Sequence, residues 1–207
     1  VAKKAHGRGA KVIGDNTFYT PIYQQPLVLG ADIVVHSATK YLSGHNDVLA
    51  GAVIVSTTTL YDQLIYNLNT TGPVLSPFDS YLVMRGLKTL SLRMTRATEN
   101  ATEVVAFLRR HSAVKEVLYT GLGGMISFKV SDQSKIPDMI NALNVITFAE
   151  SLGGVESLIT YPATQTHADI PAPVRASYGL TDDLLRLSIG IEDVTDLIDD
   201  LAQALKV

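Results

Sequence analysis

The amino-acid sequence predicts an α/β fold. Three observations carry that expectation. Short apolar runs of strand length recur in the N-terminal part, the first two are too far apart for a tight hairpin, and the C-terminal part alternates strand and helix patterns. The composition agrees, because 207 residues that are 46% hydrophobic and 18% charged have the profile of a chain with a buried core. That length suits one large domain or two small ones.

Residues 2–9 read as the last turns of a helix, stopped by Gly7 or Gly9. Residues 11–14 form a short buried strand that delivers Asp15 at its C-terminal end. A loop and short helical passage follow over 20–29, where Pro21 and Pro26 limit regularity. Residues 32–37 are the next strand, and their distance from Asp15 suits a parallel crossover, which needs about a dozen residues or more. A third strand covers 51–56. Sheets of this kind bind ligands beyond the C-terminal ends of their strands.

From Ser80 the period lengthens. Leu82, Leu87, Leu90 and Met94 predict one long amphipathic helix that continues through residues 103–108, with a domain boundary near 96–100. Beyond it the pattern gives strands at 114–119 and 125–130, a helix at 136–143, a strand at 145–149, a short helix about 173–178 and a strand at 184–189. A C-terminal helix over 194–205 has Asp193 as its N-cap and acidic residues in its first turns, favourable with the helix dipole.

Several function classes are disfavoured at once. Seventeen basic and 20 acidic residues give a net charge of −3, with no basic stripe to collect phosphates, so no nucleic-acid partner is expected. The apolar runs 31–35 and 49–55 fall far short of the roughly 20 residues a bilayer demands, and no membrane association is expected. Without cysteine there is no disulfide framework, thiolate nucleophile or Cys-ligated zinc, which is compatible with a reducing, cytoplasmic location. The chain starts without Met or a signal-like apolar segment, inside a helical pattern, and is expected to be part of a longer protein.

The chemistry concentrates in Asp15-Asn16-Thr17-Phe18, His36-Ser37-Ala38-Thr39-Lys40-Tyr41 and Gly44-His45-Asn46-Asp47. If the first two strands are parallel neighbours, a carboxylate and a lysine flanked by hydroxyls share one rim of the sheet. A partly desolvated lysine there can form a Schiff base with a carbonyl. The acid suits a protonated ring nitrogen and the hydroxyls of Ser37 and Thr39 suit a phosphate, which together describe a pyridoxal 5'-phosphate (PLP) site. Singly, each has an ordinary reading: a lysine after a strand is usually solvated, and an aspartate at a strand end is usually a turn former. Arg186, inside an apolar run, reads alone as an outward-facing strand residue. Five histidines show no metal-ligand spacing; His36 reads as a strand residue, His45 as a loop residue, and no metal site is expected. Gly121-Leu122-Gly123-Gly124 lacks dinucleotide-binding spacing and reads as a turn.

The combination is more specific than its parts. Gly14-Asp15-Asn16-Thr17-Phe18 and the run 29–41 resemble the PLP-lysine region of the cystathionine γ-synthase/γ-lyase family, the Cys/Met-metabolism enzymes. The resemblance continues through Pro77-Phe78-Asp79-Ser80, Arg85-Gly86-Leu87-Lys88-Thr89-Leu90, Glu150-Ser151-Leu152-Gly153-Gly154 and Leu185-Arg186-Leu187-Ser188-Ile189-Gly190, so it covers essentially the whole chain. It implies a PLP-dependent transferase-like fold of the aspartate aminotransferase type (fold type I): residues 1–97 as part of the large mixed-sheet PLP-binding domain, then 98–207 as a small α+β domain.

The resemblance further implies that Lys40 is the Schiff-base lysine and, once released by substrate, the base that shuttles protons. It implies that Asp15 pairs with the pyridine nitrogen, that Ser37 and Thr39 contact the phosphate, and that Arg186 pairs with the substrate α-carboxylate. Ser151 would support that carboxylate or Lys40, and Glu150 precedes it in a Glu-Ser-Leu-Gly-Gly run similar to members acting at Cγ. The implied activity is trans-sulfuration of cystathionine or an O-acylhomoserine, with a cystathionine β-lyase or an O-acetylhomoserine sulfhydrylase as the alternative. A non-catalytic remnant of the fold would have lost Lys40 or Asp15, and both are present. Family members carry a longer N-terminal half that supplies a ring-stacking tyrosine, a phosphate loop and residues reaching in from a neighbouring subunit. The expected partners are therefore that N-terminal half, a small sulfur amino acid and the other subunits of a homotetramer built from dimers.

Overall fold

In the computed structural model, which describes residues 1–206, two separate sheets form, and the chain divides after Ser91 into two compact units. The first unit opens with helix α1 (Ala2–His6), then strand β1 (Ile13–Asp15), helix α2 (Thr20–Tyr23), strand β2 (Ile33–Ser37) and strand β3 (Gly51–Val55). β1 and β2 are parallel, as their separation predicts, with Asp15 opposite Val35. β3 runs antiparallel to β2 with Ser37 opposite Gly51, so the sheet is mixed. Helix α3 (Thr58–Thr71) starts on Thr57, whose side chain accepts the Leu60 N–H, and stops at Gly72 in a left-handed conformation (φ +76°).

The single long helix expected from Ser80 is two helices, α4 (Pro77–Leu87) and α5 (Leu90–Leu108). At the break the Thr89 hydroxyl and N–H both donate to the Gly86 carbonyl, at 3.1 Å each, and such local bonds replace the ladder that would have continued the helix. The apolar period runs across the break unchanged, which is why the pattern alone does not show it.

The second unit holds most of α5 and a five-stranded sheet in the order β4-β5-β8-β7-β6. Its strands are β4 (Val114–Leu118), β5 (Met125–Val130), β6 (Thr147–Phe148), β7 (Leu158–Thr160) and β8 (Leu184–Ser188). Helices α6 (Ile136–Ala142), α7 (Ala172–Ser177) and α8 (Val194–Ala204) complete it. β7, absent from the sequence reading, is three residues long and follows a Gly/Ser-containing loop, too short to show a period. Leu185 and Leu187 of β8, with Ile189 just beyond it, alternate along the chain and are fully buried with Phe128, Leu197 and Leu201. Asp193 caps α8 as expected, accepting the Thr195 N–H. No helix among the described residues is long and apolar enough to cross a membrane.

Candidate functional site

After β2 the chain enters a wide helical turn, Ala38–Leu42, closed by the bond from the Ser43 N–H to the Ala38 carbonyl (3.0 Å). Lys40 sits inside it with φ −91° and ψ −129°, a non-helical backbone where wide turns of this kind often serve function. Neighbouring hydroxyls hold the irregular backbone. Ser43 Oγ donates to the Thr39 carbonyl (3.2 Å), while Thr39 Oγ1 accepts the Ala50 N–H (3.0 Å) and donates to the Ala50 carbonyl (3.3 Å). On α4, Gly86 lies against this turn, and a Cβ there would collide with the Ser43 backbone, so only glycine permits the approach.

At the end of β1, Asp15 begins an Asx turn in which Oδ1 accepts the Thr17 N–H at 2.9 Å. Thr17 Oγ1 in turn accepts the Ser37 N–H at 2.8 Å, tying the ends of the two parallel strands together. The Thr17 hydroxyl and N–H hold the Asp15 carboxyl below its ordinary range, against a smaller opposing effect of burial and with help from His36. His36 is buried, and burial pushes its pKa down against the attraction of Asp15.

Asp15, Thr17, Phe18, Tyr19, Ser37 and Lys40 line one cavity of about 570 Å³. An ionised acid and a lysine amine therefore face the same space at the C-terminal ends of parallel strands, where α/β sheets bind ligands. This donor set fits PLP, which needs an amine for its aldehyde and an anion for its ring nitrogen. Thr39 does not line that cavity, and its hydroxyl is engaged by Ala50.

In the second unit, the register sets Arg186 of β8 between Ser127 of β5 and Thr160 of β7, on the face opposite Leu185 and Leu187. Arg186 is half-buried rather than outward-facing, and its Nη2 donates to the Ser151 carbonyl (3.4 Å) and Thr160 Oγ1 (3.3 Å). Ser151 takes φ +91°, rare for a residue with a Cβ. Glu150 is exposed. The structure thus joins Asp15, Ser37 and Lys40 in one cavity and, separately, Arg186 with Ser151.

Thr17 lies within the Asp15 motif but has no role in the sequence reading, and Thr160 is missing from that reading. The Asp-x-Thr spacing of an Asx turn was a usable signal for Thr17, whereas Thr160 becomes visible only once the β7–β8 register is known.

The model of the family described as "Cys/Met metabolism PLP-dependent enzyme" matches residues 1–206. A cystathionine gamma-synthase/O-acetylhomoserine (thiol)-lyase of Bacillus subtilis is 54% identical over 205 residues, covering 99% of this chain and 55% of the relative. A cystathionine gamma-synthase of Haemophilus influenzae is 52% identical over 204 residues, covering 99% of this chain and 55% of its own length. Among solved structures, a cystathionine γ-lyase from Micromonospora echinospora superposes with a TM-score of 0.97 at 39% identity, over all of this chain and 58% of that one. The chain therefore spans little more than half the length of the relatives it matches. It belongs to the Cys/Met-metabolism PLP-dependent enzyme family.

Proposed function

We propose that the protein containing this chain is a trans-sulfuration enzyme that acts at Cγ of cystathionine or an O-acylhomoserine. The observation that carries the reading is the single cavity lined by Asp15 and Lys40 at the ends of two parallel strands. Bound PLP supplies the electron sink that makes protons on Cα and Cβ of an amino acid removable.

The rest falls to the chain's own residues. Lys40 Nζ would hold the cofactor covalently and, once the substrate amine displaces it, would take the proton from Cα, hand it on to the cofactor, and so return to the neutral amine that takes one from Cβ. Asp15, kept ionised by Thr17, is the anion opposite the ring nitrogen. Ser37 is the better placed of the two proposed phosphate contacts, because Thr39 spends its hydroxyl on Ala50. Arg186 takes the substrate α-carboxylate through its planar fork, supported by Ser151. Glu150, next to Ser151, belongs to the run that favours γ- over β-chemistry. In the domain reading, residues 1–97 complete a large PLP-binding domain and 98–207 form the small one. A cytoplasmic homotetramer, with the remainder of the polypeptide as partner of residues 1–97, goes with it.

Two measurements on the full-length protein test the reading. Borohydride reduction after PLP addition is expected to leave a pyridoxyl adduct on Lys40, and an unmodified Lys40 would reduce the chain to a structural remnant. Incubation with cystathionine then separates the chemistries: 2-oxobutyrate with cysteine marks a γ-lyase, and inertness combined with cystathionine formation from O-acylhomoserine and cysteine marks a synthase. Pyruvate with homocysteine would overturn the assignment to Cγ in favour of a β-lyase.

A further inference from the structure

The Ser151 backbone poses a problem that its neighbours solve. A non-glycine residue held at φ +91° persists only where the surroundings over-determine it, and such residues cluster at ligand clamps. Arg186 Nη2 donates to the carbonyl of that residue as well as to Thr160 Oγ1, so where Ser151 points helps set where the guanidinium rests. Three tethers join the segment following Ser151 to the end of β8. Gly153 N–H donates to Ser188 Oγ at 2.8 Å, both buried. Gly190 N–H donates to Ser157 Oγ at 2.9 Å, and Ser157 is itself fully buried. The Glu192 carboxylate accepts both the N–H and the hydroxyl of Ser157, the latter at 2.9 Å.

The clasp has further supports. Ile191 N–H donates to the Val155 carbonyl (2.9 Å), and a Cβ on Gly190 would collide with that same carbonyl. Buried Asn100 of α5 closes it from behind, its Nδ2 donating to the carbonyls of Gly190 (3.1 Å) and Glu192 (2.9 Å). The bonds from Gly153 to Ser188, from Gly190 to Ser157 and from Asn100 to Gly190 and Glu192 hold the loop and the strand end as one body.

We infer that Ser188 and Glu192 are positioning residues: through Gly153 and Ser157 they fix the left-handed Ser151 backbone, and through its carbonyl they aim Arg186 at the substrate carboxylate. Ser188 Oγ accepts from Gly153 and the Glu192 carboxylate from Ser157, so their effect passes through the loop. The inference rests on the proposed role of Arg186, and it adds the prediction that carboxylate recognition is set by a buried hydroxyl and a carboxylate two and six residues beyond the arginine.

The test is isothermal titration of the PLP-loaded, full-length enzyme with glycine, and with methylamine as the carboxyl-free control, alongside thermal melts. Ser188→Ala and Glu192→Ala are each expected to weaken glycine binding about tenfold and to leave methylamine binding within about twofold, since misaiming Arg186 penalises only the carboxylate. Glu192→Gln, which keeps one acceptor oxygen of the same shape, is expected to recover most of the loss. Equal losses for glycine and methylamine, or unchanged glycine binding in both alanine variants, would overturn the inference. Should Glu192→Ala fail to fold, Ser188→Ala, which deletes one hydroxyl, decides the outcome. Arg186→Ala is the control that separates the two layers. If it leaves glycine binding intact, the carboxylate role falls and the inference with it; if it weakens glycine binding while the clasp variants do not, the inference alone falls.

Discussion

Residues 1–91 and the region from Leu92 onward are of comparable length, yet only the second encloses a substantial core. From Ala101 to Leu205 a continuous cluster of buried side chains, including Phe128, Leu185, Leu187 and Leu201, fills the space between a five-stranded sheet and its helices. Up to Ser91 the buried hydrophobics are Val34, Ala38, Tyr41, Leu42, Val48 and Leu90, gathered about β2 and the lysine turn. Ile13, Val28, Leu29, Leu49 and Val53 are more than half exposed there. The region that carries Lys40 and Asp15 is therefore organised locally by hydroxyl-to-backbone bonds from Thr17, Thr39 and Ser43. The region that carries Arg186 is organised by packing, with its polar clasp on the face away from that core. Substitutions in the first should remove chemistry at small cost in folding, and substitutions in the core of the second should do the reverse.

The sharpest test of that division is Lys40→Ala. In the full-length enzyme it is expected to abolish the pyridoxyl adduct by mass spectrometry and to lower turnover by about 10³-fold or more, since it deletes both covalent partner and proton carrier. Its melting temperature should stay close to that of the parent. Near-normal turnover would eliminate the lysine's role. Asp15→Asn comes next. The amide oxygen can still accept the Thr17 N–H, so the turn survives while the negative charge is lost. Turnover is expected to fall by about 10²–10³-fold, the range seen when one preorganised electrostatic partner is deleted.

The contrast in packing has its own pair of variants, read by urea unfolding of this 207-residue chain. Leu187→Ala, at a fully buried position, is expected to cost about 2–5 kcal/mol. Val53→Ala, at a side chain 51% exposed, is expected to stay within about 0.5 kcal/mol. Equal effects would erase the distinction. A larger cost for Val53→Ala in the full-length protein than in this chain would show that other polypeptide covers β3.

How much of this was legible in the sequence follows from what each feature depends on. β1, β2 and their parallel pairing were readable because apolar runs and connection length are local facts. The cap of α8 was readable for the same reason, with Asp193 standing directly before an amphipathic stretch. α3 escaped because its one-sided residues, Leu60, Leu64, Ile65 and Leu68, are only half-buried and diluted by Thr and Asn. The break between α4 and α5 escaped because a threonine hydroxyl, rather than proline or glycine, ends the ladder. Lys40 and Asp15 stood out by motif, but Thr17 as the pin between Asp15 and Ser37, and Thr160 beside Arg186, depend on register and turn geometry that residue types alone leave open.

The smallest expected effect lies in the second region and turns on pH. Asp200 of α8 is buried, and its carboxylate accepts the N–H groups of Asn144 (2.8 Å), Val145 (2.9 Å) and Ile146 (2.9 Å), with Gln203 donating at 3.2 Å. Burial alone would raise its pKa, but the backbone donors and Gln203 outweigh it and hold the group below its ordinary 3.8. A carboxylate depressed in the folded state contributes stability that is full above its unfolded pKa and is lost as pH falls through the folded one. At pH 7, Asp200→Asn is expected to cost about 1–3 kcal/mol, because an amide nitrogen then faces donors in a buried site. That gap should hold from pH 7 to about pH 5 and narrow below pH 4, as the parent carboxylate itself takes up a proton. Taking the difference between parent and variant cancels the other depressed aspartates, such as Asp183 and Asp193, which titrate equally in both. A gap that stays constant from pH 7 to pH 3 would mean that charge has no part in how Asp200 anchors residues 144–146, and that the anchoring is a matter of shape.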